Sequence, residues 1–188
     1  MAPSSEDATL QERTAALKPI QIQGDFFRIV SARYQDESLN TVGSFQHGGY
    51  YNPKGEFGVL YLSESVGVCT AEVLRAVADP AFFQEPRMCG TIQVVLAKIL
   101  DLTNEQILKE LGIRKEDLLQ DTGDRERDYR LPRQIGRLAR AAGFEALKVP
   151  SVISQGNNLV IFKESFSERA KVTVIGKPKP VSLSREQR

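Results

Sequence analysis

The stretch HGGYYNPKGEFGVLYLSES, residues 47–65, constrains the fold more than any other part of the chain. Gly48-Gly49 and Asn52-Pro53-Lys54-Gly55 are turn chemistry, because glycine takes positive φ or admits a close backbone and Asn-Pro initiates a turn. The apolar and aromatic run FGVLYL (57–62) follows at once and reads as a strand. Ser63 or Ser65 can then cap a helix that runs to about Ala78 and stops before Pro80. Turn, strand and helix in one short segment predict strands and helices mixed along the chain. So much turn chemistry and aromatic polarity beside a buried strand has two readings: a tight connection, or the rim of a ligand site.

The remaining segments agree. DFFRIV (25–30) reads as a strand, as does part of CGTIQVVLAKILDL (89–102). EALKVPS (145–151) is a strand entering a turn, and NNLVIF (157–162) and AKVTVIG (170–176) are two more. NEQILKELG and RKEDLLQD are short helical pieces, with Gly112 a helix stop. LPRQIGRLARAAGF is an amphipathic helix, expected to carry Pro132 in its first turn and Gly143 at its end. About six strands and three or four helices, intermixed, predict a single α+β domain with a mixed sheet core and flanking helices. No G-x-G-x-x-G or Walker sequence calls for a doubly wound sheet. The boundaries expected are a flexible N-terminal arm or short peripheral helix at 1–20, a folded unit at 21–176 and, in KPKPVSLSREQR, a tail at 177–188.

Charge and composition narrow the function. Lysine and arginine number 25 against 24 acidic residues, a formal net charge of +1, which argues against direct nucleic-acid binding. No apolar run approaches the ~20 residues that span a bilayer, so no membrane association is expected. The N-terminal MAPSSEDATLQERTAAL lacks an apolar secretory core, so a cytoplasmic protein is expected. A single histidine, His47, and two cysteines, Cys69 and Cys89, are too few for a Cys/His metal site, and the cysteines read as buried thiols.

Three polar residues stand out. Glu72 lies on a helix whose apolar stripe is Val66, Cys69, Val73 and Val77, with Val68, Ala71 and Ala76 around it. A carboxylate on such a helix either pairs with Arg75 one turn on or faces a cleft. Arg28 interrupts the apolar DFFRIV and is either a solvent-facing strand residue or a bidentate anion ligand. Ser151 ends a strand, either as a turn serine bonding its own backbone or as a site residue. Tyr50, Tyr51 and Tyr61 supply flat faces for stacking and hydroxyls, and Gly49 lets the backbone approach a ligand.

Taken in order, the early-strand Arg28, GG-x-x-NP-x-G with Gly49 and Asn52, VLYL-x-ES with Tyr61, Glu72 in A-E-V-L, and a late VPS before GNNLVIF resemble the RES domain family over roughly residues 24–165. The family is named for an Arg, a Glu and a Ser, matched here by Arg28, Glu72 and Ser151. The resemblance implies a fold like that of ADP-ribosyltransferase toxins. It also implies a toxin of a toxin–antitoxin pair, neutralised by an Xre-type helix-turn-helix protein; a homodimer is compatible with the chain and is not part of what the resemblance implies. The implied activity is cleavage of the nicotinamide–ribose bond of NAD⁺ by water or phosphate, with NAD⁺ as substrate and no cofactor. Alternatives within the family are ADP-ribosylation of a protein and an inert RES fold acting as a binding partner. On this resemblance Glu72 stabilises the developing positive charge, Arg28 holds phosphate, Ser151 bonds the ribose or amide, and Tyr61, Tyr50, Gly49 and Asn52 line the pocket. Many members carry Arg after the two glycines where this chain has Tyr50, which removes a cation; Arg33 or Arg75 are the candidate replacements. DRERDYR (124–130) reads as a solvated face.

Overall fold

The computed structural model describes residues 5–76 and 85–183. The helix end expected at Ala78 therefore falls outside the described residues, as do the first four residues and the end of the tail. The order is α1 (Ser5–Ala16), β1 (Ile20–Ser31), a 3₁₀ turn (Ala32–Glu37), α2 (Val42–His47), β2 (Leu60–Ser63), α3 (Val66–Ala76) and β3 (Arg87–Asp101). Then follow α4 (Glu105–Leu111), α5 (Arg125–Ala141), β4 (Ala146–Pro150), β5 (Asn157–Ile161) and β6 (Lys171–Val181). The chain is one mixed α+β domain.

The strands run β1-β2-β5-β4-β3-β6, and β1 also pairs with β3. The first five therefore close on themselves, with β6 added outside along β3. Every pairing is antiparallel except β3 with β4. The ring is uneven. β1 and β3 pair from Ile20↔Ile99 to Ser31↔Arg87, whereas β1 meets β2 only at Phe27↔Ser63.

Alternation along each strand sorts the side chains into two cores. Leu60, Leu62, Ile92, Val94, Leu96, Ile99, Leu159 and Ile161 fill the inside of the ring. Val59, Val149, Val160 and Phe162 point outward and are covered by Leu108, Leu111, Leu118, Ile135 and Ala139, from α4, α5 and the turn between them. Burying each such side chain contributes about 1.5–3 kcal/mol.

The boundaries differ from those expected. The N-terminal segment takes the helical one of its two expected forms and joins the fold: Leu10, Thr14 and Leu17 recur at helical spacing, Leu10 packs on the outer core, and Thr14 and Leu17 are buried. Nor does the folded unit end at 176, because β6 continues to Val181 through Pro178 and Pro180. A strand paired on one side tolerates proline, and among the described residues β6 pairs with β3 alone. DRERDYR is the first part of α5, which starts at Arg125 under an Asp124 cap accepting from the amides of Glu126 and Arg127. Pro132 thus sits about two turns into the helix rather than in its first turn.

Glu145 ties the two cores together. It is fully buried and accepts from the amides of Ala97 (2.7 Å), Lys98 (3.0 Å) and Ser167 (2.9 Å). Burial alone would raise its pKa, but the hydrogen bonds from Ser167, Ala97 and Lys98 outweigh it and hold the carboxyl below its ordinary value. The folded value lies below the unfolded one. The stabilisation is therefore complete above the unfolded carboxylate value of about 4.3 and is lost as pH falls from there through the folded value. Urea unfolding midpoints should fall over that range, and Glu145→Gln should flatten the acid limb while costing about 1–3 kcal/mol at neutral pH.

Candidate active site

Two loop-and-helix units meet on the outer face of the β2–β5–β4 strands. The first is α3. Ser65 caps it, its hydroxyl accepting from the amide of Val68 at 3.2 Å. Val68 and Cys69 are buried on its inner side, and Glu72, half-buried, is presented at the sheet. The second is the turn from β4 to β5. Here Ser151 Oγ accepts from the amides of Ile153 (3.3 Å) and Ser154 (3.2 Å) and from the Ser154 hydroxyl (3.1 Å).

With its acceptor capacity taken up by that turn, the Ser151 hydroxyl donates to Glu72 Oε1 at 2.8 Å. Asn158 Nδ2 donates to the same oxygen at 2.7 Å. The amide of Asn158 is oriented in turn by the Ser63 hydroxyl, which donates to its Oδ1 at 2.7 Å. Glu72 is therefore held at one oxygen by two donors, and among the described residues no donor is bonded to Oε2. Ser151 fulfils both readings left open by the sequence: it is a turn serine and it holds Glu72. Glu72 does not pair with Arg75, whose Nη2 donates instead to Asp121 Oδ1 at 2.6 Å.

Arg28 is not brought to this cluster. Phe27 pairs with Ser63 and so shares its outward face, while Arg28 pairs with Gly90 and points inward. Its Nη1 donates to the carbonyls of Ser38 (2.6 Å) and Asn40 (3.0 Å), fastening the loop that leads into α2. Burial lowers its pKa from the ordinary value. Arg33 also lies elsewhere, exposed and paired with Glu85 at 3.1 Å.

The glycine-rich segment is both a tight connection and a wall of the site. Asn52 is fully buried, and its Nδ2 donates to the carbonyls of Ser44 (2.8 Å) and Phe57 (3.1 Å). The Tyr61 hydroxyl donates to Asn52 Oδ1 at 3.0 Å and accepts from the Tyr51 amide at 2.9 Å. Gly49 is required by this knot, because a Cβ there would lie 2.5 Å from the Tyr61 hydroxyl and 2.7 Å from Asn52 Oδ1. Asn52 and Tyr61 thus brace the glycine-rich segment with polar groups already spent on the protein, rather than offering them to a ligand. Tyr50 is half-buried. Its hydroxyl lies 3.1 Å from the carbonyls of both Leu118 and Gln120, and burial pushes its pKa up to about 12.

The Tyr51 hydroxyl, by contrast, is buried with no hydrogen-bond partner among the described residues. Tyr51→Phe therefore breaks no bond and should leave the melting temperature unchanged or raise it, by up to about 1 kcal/mol in stability. A clear loss of stability would show that the hydroxyl is bonded in solution.

Several residues escape a reading of the sequence. Tyr129, in the supposed solvated stretch, packs edge-on against Tyr50 with centroids 4.7 Å apart. Arg133 covers the Tyr129 ring at 5.0 Å and donates from Nε to the Gly49 carbonyl at 3.2 Å. Asn158 had a signal, since alternation with Val160 and Phe162 puts it on the outer face; its partner, 86 residues earlier in the chain, had none. Cys69 lies behind Glu72, where burial raises its thiol pKa to about 11 and leaves it protonated and inert at neutral pH. Among the described residues no group of three or more His, Cys, Asp or Glu could hold a metal, and no helix is long and apolar enough to cross a membrane.

This geometry can be set beside known proteins. A probable NAD(+) phosphorylase of Mycobacterium tuberculosis is 34% identical over 117 residues, covering 61% of this chain and 53% of that one. The NAD(+) phosphorylase MbcT of Mycobacterium bovis is 28% identical over 120 residues, covering 61% of this chain and 63% of its own. The match spans between half and two thirds of the length of these relatives. The fold is similar to a chain in the crystal structure of the M. tuberculosis MbcT–MbcA toxin–antitoxin complex, with a TM-score of 0.77 and 24% identity over 96% of this chain and 94% of that one. Residues 25–184 match the RES domain, which takes in Glu72, Ser151, Asn158 and the glycine-rich wall: the chain belongs to the RES domain family.

Proposed function

We propose that this protein is an NAD⁺-degrading toxin that cleaves the nicotinamide–ribose bond, with phosphate or water as acceptor. The observation that carries the reading is the Glu72 carboxylate, held at Oε1 by Ser151 and Asn158 and, among the described residues, with no donor bonded to Oε2. The names of the relatives, a probable NAD(+) phosphorylase and an NAD(+) phosphorylase, support it. The C–N bond breaks through an oxocarbenium-like state. The pyridinium nitrogen takes the bonding electron pair and leaves as neutral nicotinamide, while an acceptor oxygen bonds to the ribose C1. A phosphate dianion completes this without releasing a proton; water releases one. A fixed carboxylate stabilises the positive charge as it builds on the ribose and can accept from a ribose hydroxyl, and because Ser151 and Asn158 already orient it, little reorganisation is needed.

Toxicity in this reading is NAD⁺ depletion in the cytoplasm, relieved by an Xre-type helix-turn-helix antitoxin that covers the site. The structural relative solved as a toxin–antitoxin complex supports a protein partner. So do Val66 and Ile153, apolar and more than a third exposed on the two elements that carry Glu72 and Ser151.

The test is to incubate the purified full chain with NAD⁺, with and without phosphate, and to quantify nicotinamide and identify the ribosyl product. Nicotinamide with ADP-ribose 1″-phosphate indicates phosphorolysis, and nicotinamide with ADP-ribose indicates hydrolysis. A folded protein that binds NAD⁺ and releases no nicotinamide under either condition would refute the reading.

A further inference from the structure

Arg75 follows Glu72 by one turn of α3 and shares its face. Its guanidinium makes a single hydrogen bond among the described residues, Nη2 to Asp121 Oδ1 at 2.6 Å, which leaves Nε and Nη1 unengaged. The Arg75 side chain is 24% exposed and Asp121 is 52% exposed, so the pair opens to solvent on the aspartate side. The segment bearing Asp121 is brought to this point by the Tyr50 hydroxyl, which meets the Leu118 and Gln120 carbonyls.

The other arginines near the site are tied to backbone carbonyls. Arg133 holds the Gly49 carbonyl, pairs with Glu126 at 3.4 Å and lies over Tyr129. Arg28 is turned into the ring and holds two carbonyls. Among the described residues Arg75 is thus a planar fork with free donors one turn from Glu72, occupied by one exposed carboxylate oxygen. An ion pair with an exposed partner is weak, and the same fork matches two phosphate oxygens at once.

We propose that Arg75 is the anion-binding residue of this site, that its ligand is a phosphate group, and that Asp121 is a built-in competitor which the phosphate displaces. The function of such an anion site rests on the NAD⁺-cleaving reading, but its existence does not. Two sources share the chemistry, the pyrophosphate of the dinucleotide and inorganic phosphate as acceptor, and the test separates them.

Titration calorimetry on the full chain would measure binding of inorganic phosphate and of NAD⁺, the latter in a Glu72→Gln background to prevent turnover, for Arg75 and Asp121 variants. Arg75→Gln should weaken one of the two ligands by about tenfold or more, the loss of one or two charge-assisted hydrogen bonds. Asp121→Asn should tighten the same ligand several-fold by removing the competitor. Weakening confined to inorganic phosphate assigns Arg75 to the acceptor, and weakening confined to NAD⁺ assigns it to the pyrophosphate; either supports the site. Affinities within about twofold of wild type for both ligands in Arg75→Gln would overturn it. So would an Asp121→Asn variant that binds as weakly as Arg75→Gln, since the pair would then be scaffolding. These readouts are binding constants, so a protein that binds phosphate through Arg75 and never releases nicotinamide would uphold the site while removing the catalytic reading.

Discussion

Glu72→Gln should lower nicotinamide release by roughly a hundred- to a thousandfold, the range seen when one preorganised electrostatic group is removed from a site. The substitution separates charge from scaffold. A glutamine oxygen can still accept from Ser151 and from Asn158, whose hydrogen bonds to Glu72 measure 2.8 and 2.7 Å, so the turn and the helix keep their contact. Only the negative charge is lost, which in the proposed reaction faces the ribose. The thermal unfolding midpoint should move little and the turnover number should collapse, with the Michaelis constant for NAD⁺ changing far less, because the charge matters most where positive charge develops. Parallel loss of stability and activity would mean that Glu72 is structural. Unchanged turnover in a folded variant would place the chemistry elsewhere.

Gly136→Ala is the second large effect, and two levels of reasoning give opposite signs for it. Helix propensity alone favours alanine over glycine in a helix interior by about 1 kcal/mol. The packing reverses this. A Cβ at Gly136 would stand 1.9 Å from the carbonyl oxygen of Tyr51, and that oxygen is backbone, unable to swing aside as a side-chain tip could. Either α5 or the glycine-rich segment must move. That segment is fixed by Tyr61 and Asn52, and α5 by Ile135 and Ala139 in the outer core. Overpacking of this kind costs about 1–3 kcal/mol and can cost more, so the net expectation is a loss of about 2 kcal/mol. Activity should fall with it, because the same shift displaces Tyr50 and the wall of the site. Urea unfolding checks the first and nicotinamide release the second. A variant more stable than wild type would show that α5 does not press on Tyr51 as described.

Much of the site was legible because it lies on local signals. The Ser65 cap, the Asn52-Pro53 turn, and Glu72 on a helix with few other charges each follow from a few neighbouring residues. Arg28 misled for a physical reason. Strand alternation shows only that it faces away from Phe27 and Ile29, and without the partner strand that face could be solvent, cleft or interior. Its register with Gly90 turns it inward, where it holds the loop at Ser38 and Asn40. Asn52 and Tyr61 belong to the expected segment but work one layer behind it. DRERDYR looked solvated because charge dominates its composition, whereas Asp128 is buried and bonded to Thr122 and Tyr129 packs on Tyr50.

By itself the amino-acid order determined which segments are strands and which are helices, where the tight turns fall, and that a carboxylate and a serine of matching chemistry are present. Those outcomes depend on periodicity and backbone preference over a few residues. Only the tertiary structure decided that β1 closes the ring on β3, that Ser151 reaches Glu72 across 79 residues of chain, that Arg75 pairs with Asp121, and that Arg28 is turned toward Ser38 and Asn40. Such contacts form when two separate apolar cores are buried together, and which residues meet is set by strand register and helix packing over the whole domain, which no local window of sequence contains.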